Sequence, residues 1–463
     1  MSMQTAGMDK TTRLTTLPVR KLILSMAAPN ITIMLIATLY NMTDTYFVGQ
    51  LGTSATAGVG VAFSLMMLLQ ALGFLFGQGS GNYISRRLGA RDIEAVSRMA
   101  ATGFVTAFLV GLLITIVGLL RLESLALMLG STETILPYAM DYLRFVLLGA
   151  PWMTSSLALN NILRFQGSPG YGMVGMVTGT VLGIGFTPLF IFVFGMGISG
   201  AGLSTAIGKM VSCVILFIGC RRGENIPIRI KNFSPSFFFY KEIIRGGLPS
   251  LFRQGLASVS IAVFNHTAAT YGDAAIAAMT IANQVALLAS SVVIGFGQAF
   301  QPVAGFNYGA KRYDRVISAF WFCVKLSTVF LVVVSIICML FAPQIIHFFR
   351  DDMRVVEIGA PALRILSLAL PLVGFFTTAG MMLQTIGKAA HASTLAASRH
   401  GIFILGYLLI LPRFFGLLGI QLSQPMADMS SFLLSIPLTI GVLREMKKAW
   451  EERETQPEKP AQS

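Results

Sequence analysis

The feature that most limits what this chain can fold into is a recurrent absence of charge. Residues 104–120, 173–198 and 326–346 contain no Asp, Glu, Lys or Arg, and 402–420 contains only Arg413. A helix rises 1.5 Å per residue, so about 20 apolar residues cross the ~30 Å hydrocarbon layer of a bilayer. Cut at Gly, Pro and charge punctuation, the sequence gives twelve such runs: 22–49, 53–84, 97–120, 138–163, 171–194, 198–220, 243–270, 274–303, 316–342, 358–384, 394–413 and 417–443. The expected fold is an all-α polytopic membrane protein. Only 12% of the 463 residues are charged, against about 25% in an average soluble domain.

The net charge of +14 does not point to nucleic acid, because the basic residues sit in short clusters between apolar runs. With the N-terminus inside, 25 of the 34 Lys+Arg fall in the tails and the loops after spans 2, 4, 6, 8 and 10. Six lie on the opposite side, and Lys209, Arg253 and Lys325 lie within spans. That bias predicts a multi-pass protein of the plasma (inner) membrane with both termini cytoplasmic. The polar N-terminal stretch and the absence of a small-residue cleavage motif predict a retained first helix rather than a signal peptide. Cys213, Cys220, Cys323 and Cys338 lie in or beside apolar runs with no CxxC or Cys/His spacing, so neither disulfides nor zinc are expected.

Shifted by 220 residues, the sequence falls on itself. Pro29 meets Pro249, Gly52 meets Gly272, Gly77-Gln78 meets Gly297-Gln298, Gly89-Ala90-Arg91 meets Gly309-Ala310-Lys311, Arg144 meets Arg364 and Gly167 meets Gly387. Shared Pro, Arg and loop Gly at one constant offset indicate a duplicated six-helix unit. Six is even, so the two copies have the same orientation and are related by a parallel repeat. Transporters built this way bind substrate between halves and alternate access. The expected organisation is a tail at 1–21, an N-lobe at 22–220, a cytoplasmic linker at 221–242, a C-lobe at 243–443 and a tail at 444–463. The aromatic run at 237–240 beside Lys241 reads as an interfacial anchor.

Of the 20 Asp+Glu, only Asp44 and Asp428 lie well within spans. An intramembrane charge is costly enough to mark a functional site by default. By helical rise, Asp44, Thr187 and Thr205 share a level roughly 10 Å below the outer ends of spans 1, 5 and 6. Tyr40 and Asn41 lie one turn deeper on the face that carries Asp44. One carboxylate ringed by neutral oxygens suits a proton or a Na⁺, the Na⁺ reading resting on Asp44 and Thr205. Asp428 follows Gln421, Gln424 and Pro425, a locally polar stretch with a candidate break at the proline. It matches Asn265 in depth, whereas Arg253 and Gln254 lie deeper. These four residues, with Gln284 and Gln298, form the candidate substrate cavity. The sequence contains no GxxxxGK[ST] phosphate loop and no catalytic triad or metal-ligand spacing, so neither ATP hydrolysis, enzyme activity nor a cofactor is expected.

The stretch Pro29 … Asn41-Met-Thr-Asp44-Thr-Tyr-Phe-Val-Gly49-Gln-Leu-Gly52 resembles the opening of MATE (multidrug and toxic compound extrusion) transporters. Pro188-Leu-Phe-Ile-Phe and Gly197-Ile-Ser-Gly200-Ala-Gly-Leu-Ser-Thr205 resemble the same family. Gly297-Gln298 … Gln301-Pro302 … Asn307-Tyr308-Gly309-Ala310 is similar to its MepA-like branch. The resemblance covers nearly all of 20–445. It implies two six-helix lobes around a cavity, and export of small organic, often cationic compounds against H⁺ or Na⁺ entry. It marks Asp44 as the coupling carboxylate, with Thr205 and Tyr40 beside it. Many members carry Asn and Asp on helix 5 where this chain has Gly183 and Thr187, and acidic residues on helices 7 and 10 have no counterpart here. Those departures favour H⁺ over Na⁺. The expected partners are cationic small molecules and the bilayer, with a monomer as the working unit. A lipid-linked precursor flippase is the alternative, disfavoured because Arg253 reads as the only Arg well inside a span; a receptor or scaffold is disfavoured by the duplication.

Overall fold

A computed structural model of the chain describes residues 9–455, apart from the side chains of Asn41, Met42, Thr53, Asn265, Ala269 and Asp273. Among the described residues every regular element is helical. A short helix α1 (Lys10–Thr16) precedes α2 (Val19–Gly49), α3 (Thr53–Gly89) and α4 (Ile93–Leu120). Next come a short α5 (Leu122–Met128), α6 (Leu136–Phe165), α7 (Pro169–Pro188) and α8 (Ile198–Gly219). The second half holds α9 (Phe237–Ala269), α10 (Asp273–Gly309), α11 (Tyr313–Phe349) and α12 (Met353–Thr385). It ends with α13 (Ala389–Ala397), α14 (Ile404–Phe415) and α15 (Leu417–Thr455).

Each of the twelve predicted runs is a helix, the eleventh being α13 and α14 joined by a wide turn at Ser398–Phe403. Ten of these helices are long and apolar enough to cross a membrane by composition alone. The other two, α6 and α9, carry Asp141, Arg144 and Arg164 or Lys241, Glu242, Arg245 and Arg253 within their length.

The duplication is written into the backbone. Positive-φ residues recur 220 apart: Gly52 with Gly272, Gly167 with Gly387, and the non-glycines Arg91 (φ 61°) with Lys311 (φ 59°). The break between α4 and α5 at Arg121 has its counterpart in the kink of α11 at Phe341 (φ −109°, ψ 19°). Gly197 (φ 57°, ψ −136°) and Gly416 (φ 57°, ψ −134°) start the last helix of each half in one conformation, open to glycine and costly for other residues. The proline of α15 does not break it. Contrary to the sequence expectation, α15 runs unbroken through Pro425 and Pro437, and the irregular turn falls in the preceding helix instead.

By packing the described residues divide into two units: residues 26–84 and 93–259, and residues 9–25, 85–92 and 260–455. In the first, α6 packs on α4, α7 and α8 and buries Thr154, Ser155, Ser156, Asn161 and Arg164. Small residues let helices approach closely: a Cβ on Gly179 of α7 would collide with Ser212 and with the backbone of Gly208 on α8. In the second unit α12 takes the same central place, against α10, α11 and α15. There α1 docks on α10. Leu14 is fully buried, and Asn307 and Arg315 donate to the carbonyls of Leu14, Thr16 and Leu17.

Candidate functional site

Tyr40, Asp44, Thr187 and Thr205 all belong to the first unit, and three helices bring them together. Pro188 has no N–H, so the end of α7 cannot keep its regular ladder, and a wide turn follows at Leu189–Val193. Thr187, just before it, is buried and bonds the Gly183 carbonyl at 2.9 Å and the Ser204 hydroxyl at 2.8 Å. On α8, Ser204 and Thr205 both donate to the Ala201 carbonyl, at 2.8 and 3.1 Å. Thr205 also lies 2.7 Å from the Tyr40 hydroxyl. Its single proton goes to Ala201, so Tyr40 is the donor to Thr205.

Tyr40 is enclosed on its remaining sides. Gly183 faces it so closely that an added Cβ would stand 3.3 Å from the ring, which is why the helix-5 departure to glycine matters. The Lys209 ammonium lies 5.9 Å from the ring centroid, within cation–π range. One turn along α2 sits Asp44. Its Oδ1 is buried and has no hydrogen-bond partner among the described residues. The hydroxyls of Thr187 and Thr205 bond to Ser204, Tyr40 and backbone rather than to the carboxylate. Asn41's side chain lies outside the described residues.

Tyr142 completes the wall, fully buried with its ring against Gly202 and its hydroxyl 3.9 Å from Met66 Sδ. Ser204, Tyr142 and Lys209 were not singled out by sequence. Ser204 did carry a signal, its adjacency to Thr205.

Asp428, on α15 in the second unit, is buried and paired with Arg399 at 2.8 Å. The guanidinium also lies 4.7 Å from the Phe376 ring centroid and 3.4 Å from His400 Nε2. This corrects two sequence expectations. Arg399, counted with the loop after span 10, stands within the eleventh span, so Arg253 is not the only arginine there. The wide turn at Ser398–Phe403 turns it onto α15, and such turns recur at functional sites. Ser260 donates to the His400 carbonyl from α9 of the same unit.

The other cavity candidates are not brought together within one unit. Gln298 is buried and Gln284 exposed in the second unit, whereas Arg253 and Gln254, half-buried, belong to the first. Arg253 bonds Ser250 at 3.3 Å. Asn265's side chain lies outside the described residues.

Two six-helix halves repeated in the same orientation, with a lone carboxylate among hydroxyls inside the first span, define a membrane transporter of small solutes. The MatE family pattern matches residues 29–189 and 249–409, two copies set apart by the same 220-residue offset, and the chain belongs to that family. The multidrug export protein MepA of Staphylococcus aureus (strain MRSA252) is 28% identical over 438 residues, 92% of this chain and 95% of that protein. MepA of Staphylococcus haemolyticus (strain JCSC1435) is 27% identical over 398 residues, 85% of this chain and 87% of its own. A solved outward-facing structure of a multidrug resistance MATE family transporter superposes with a TM-score of 0.89 at 28% identity, covering 95% of this chain and 99% of that one.

Proposed function

We propose that the chain is a secondary active exporter that carries small organic, mostly cationic compounds out of the cell in exchange for H⁺, by alternating access. In this reading it sits in the plasma (inner) membrane as a monomer with both termini cytoplasmic. The observation that carries the reading is the buried Asp44 Oδ1 inside the first span, without a hydrogen-bond partner among the described residues. A carboxylate held there is stable as the neutral acid or when matched by a cation, and unfavourable as a bare anion. Proton and cationic substrate therefore compete for one negative charge, which is the requirement for antiport.

H⁺ is favoured over Na⁺ because the group holds one carboxylate, Asp44, and helix 5 carries Gly183 and Thr187 where many members of the family carry an amide and a second acid. The hydroxyls of Tyr40, Thr187, Ser204 and Thr205 bond one another and the Gly183 and Ala201 carbonyls. The flippase alternative is not favoured: the relatives that the chain matches are multidrug exporters, and Arg399 is neutralised by Asp428.

Efflux of a fluorescent organic cation from proteoliposomes tests the reading, with proton and Na⁺ gradients imposed separately on wild type and Asp44→Asn. Wild type is expected to transport on the proton gradient alone and the variant on neither. Transport driven only by Na⁺, or undiminished in the variant, would overturn it.

A further inference from the structure

The segment after α8 is a built loop. Asn225 donates to the Gly219 and Arg222 carbonyls at 3.1 and 3.0 Å and so caps the end of α8. The Ile226 N–H bonds Gln166 Oε1 at 2.7 Å, Ile228 is buried, and the Ser234 N–H bonds the Thr102 hydroxyl at 3.2 Å. All of this lies within the first packing unit.

The fixed loop borders an open cavity of ≈ 610 Å³ beside the end of α8, lined among others by Phe217, Arg221, Ile228, Arg229, Ile230 and Lys231. Three cations and four apolar side chains, Pro227 included, share it, and no acidic residue lines it. The Arg221 guanidinium lies 4.8 Å from the Phe217 ring centroid, and the Phe217 ring lies 5.5 Å from that of Phe104. An exposed apolar stripe on α8 leads to it: Met210, Val214 and Ile218, spaced four residues apart and 39%, 49% and 45% exposed. In a membrane-spanning helix that face meets acyl chains. The exposed Phe237 and Phe238 at the start of α9 suit the headgroup level.

We propose that this cavity binds an anionic phospholipid. Its phosphate lies among Arg221, Arg229 and Lys231, and an acyl chain runs along Ile218, Val214 and Met210. Arginines suit phosphate because the guanidinium fork matches two oxygens at once. Basic residues beside a span attract anionic lipid. A free phosphate would need only the cations; the apolar half of the cavity and the stripe below it specify a lipid. The proposal needs only that the chain spans a bilayer and is independent of the coupling ion.

The test is native mass spectrometry of the full chain in detergent, titrated with phosphatidylglycerol or with phosphatidylcholine of the same acyl chains. Phosphatidylglycerol should be retained at about tenfold lower concentration. The Arg221→Gln/Arg229→Gln/Lys231→Gln variant should lose that preference. The exposed Arg444→Gln/Lys447→Gln/Lys448→Gln variant, with equal loss of charge on α15, should keep it. Val214→Ser/Ile218→Ser should weaken retention of both lipids. Equal retention of the two lipids by wild type, equal loss of preference in both triple variants, or displacement of phosphatidylglycerol by inorganic phosphate would overturn the proposal.

Discussion

Tyr40 is the residue on which the candidate site turns. It donates to Thr205, its ring meets Gly183, and it stands beside Lys209 on α8 with Asp44 one turn away on α2. A fixed ammonium beside the Tyr40 ring repels a cationic substrate that approaches that ring. Lys209→Met is therefore expected to tighten binding of a quaternary-ammonium dye several-fold, read by fluorescence titration in detergent; unchanged or weaker binding would remove Lys209 from the site. The carboxylate and hydroxyls were legible in the sequence because a charge inside an apolar run stands out and helical rise converts residue number into depth. Lys209 was not, because a long side chain can reach an interface from many depths. Only the facing of α2 and α8 shows that its ammonium stops at Tyr40.

At the scale of elements, the wide turn at Ser398–Phe403 and the ion pair it sets up have the clearest consequence. Asp428 is 3% exposed and Arg399 21%. Removing one partner leaves a charge stranded, at a cost of about 3–5 kcal/mol, whereas removing both costs far less. Thermal unfolding in detergent should show Arg399→Gln and Asp428→Asn each strongly destabilised, with the double variant recovering much of the loss. Additive losses would mean that the pair is not coupled. The sequence located Asp428 but not its partner. Positive-inside counting treats any arginine near a span end as loop, and the one mark in the turn that carries Arg399 into the helix, Gly401, does not stand out among the glycines of the apolar runs. The proline at 425 did mark a place, yet α15 absorbs it without a break.

The whole molecule was the most legible level, since long apolar runs and a constant offset are properties of the chain itself. The 220-residue shift reappears as paired positive-φ residues and as paired family matches. Which segments pack together was less legible: 237–259 joins the first unit and 9–25 the second, because a cut at the linker knows nothing of helix contacts. Orientation is testable directly. All four native cysteines are buried, so single cysteines introduced at the exposed Glu224 and Glu133 should report with little background. An impermeant maleimide added to intact cells should label the second and spare the first; the opposite pattern would invert the topology. The central claim, that one carboxylate exchanges a proton for a cationic substrate, is most directly tested by proton release. Purified protein in weakly buffered detergent solution is mixed with a saturating organic cation while a pH dye is read. Wild type should release protons in step with binding, and Asp44→Asn should release none. Binding without release in wild type, or equal release in the variant, would contradict the account.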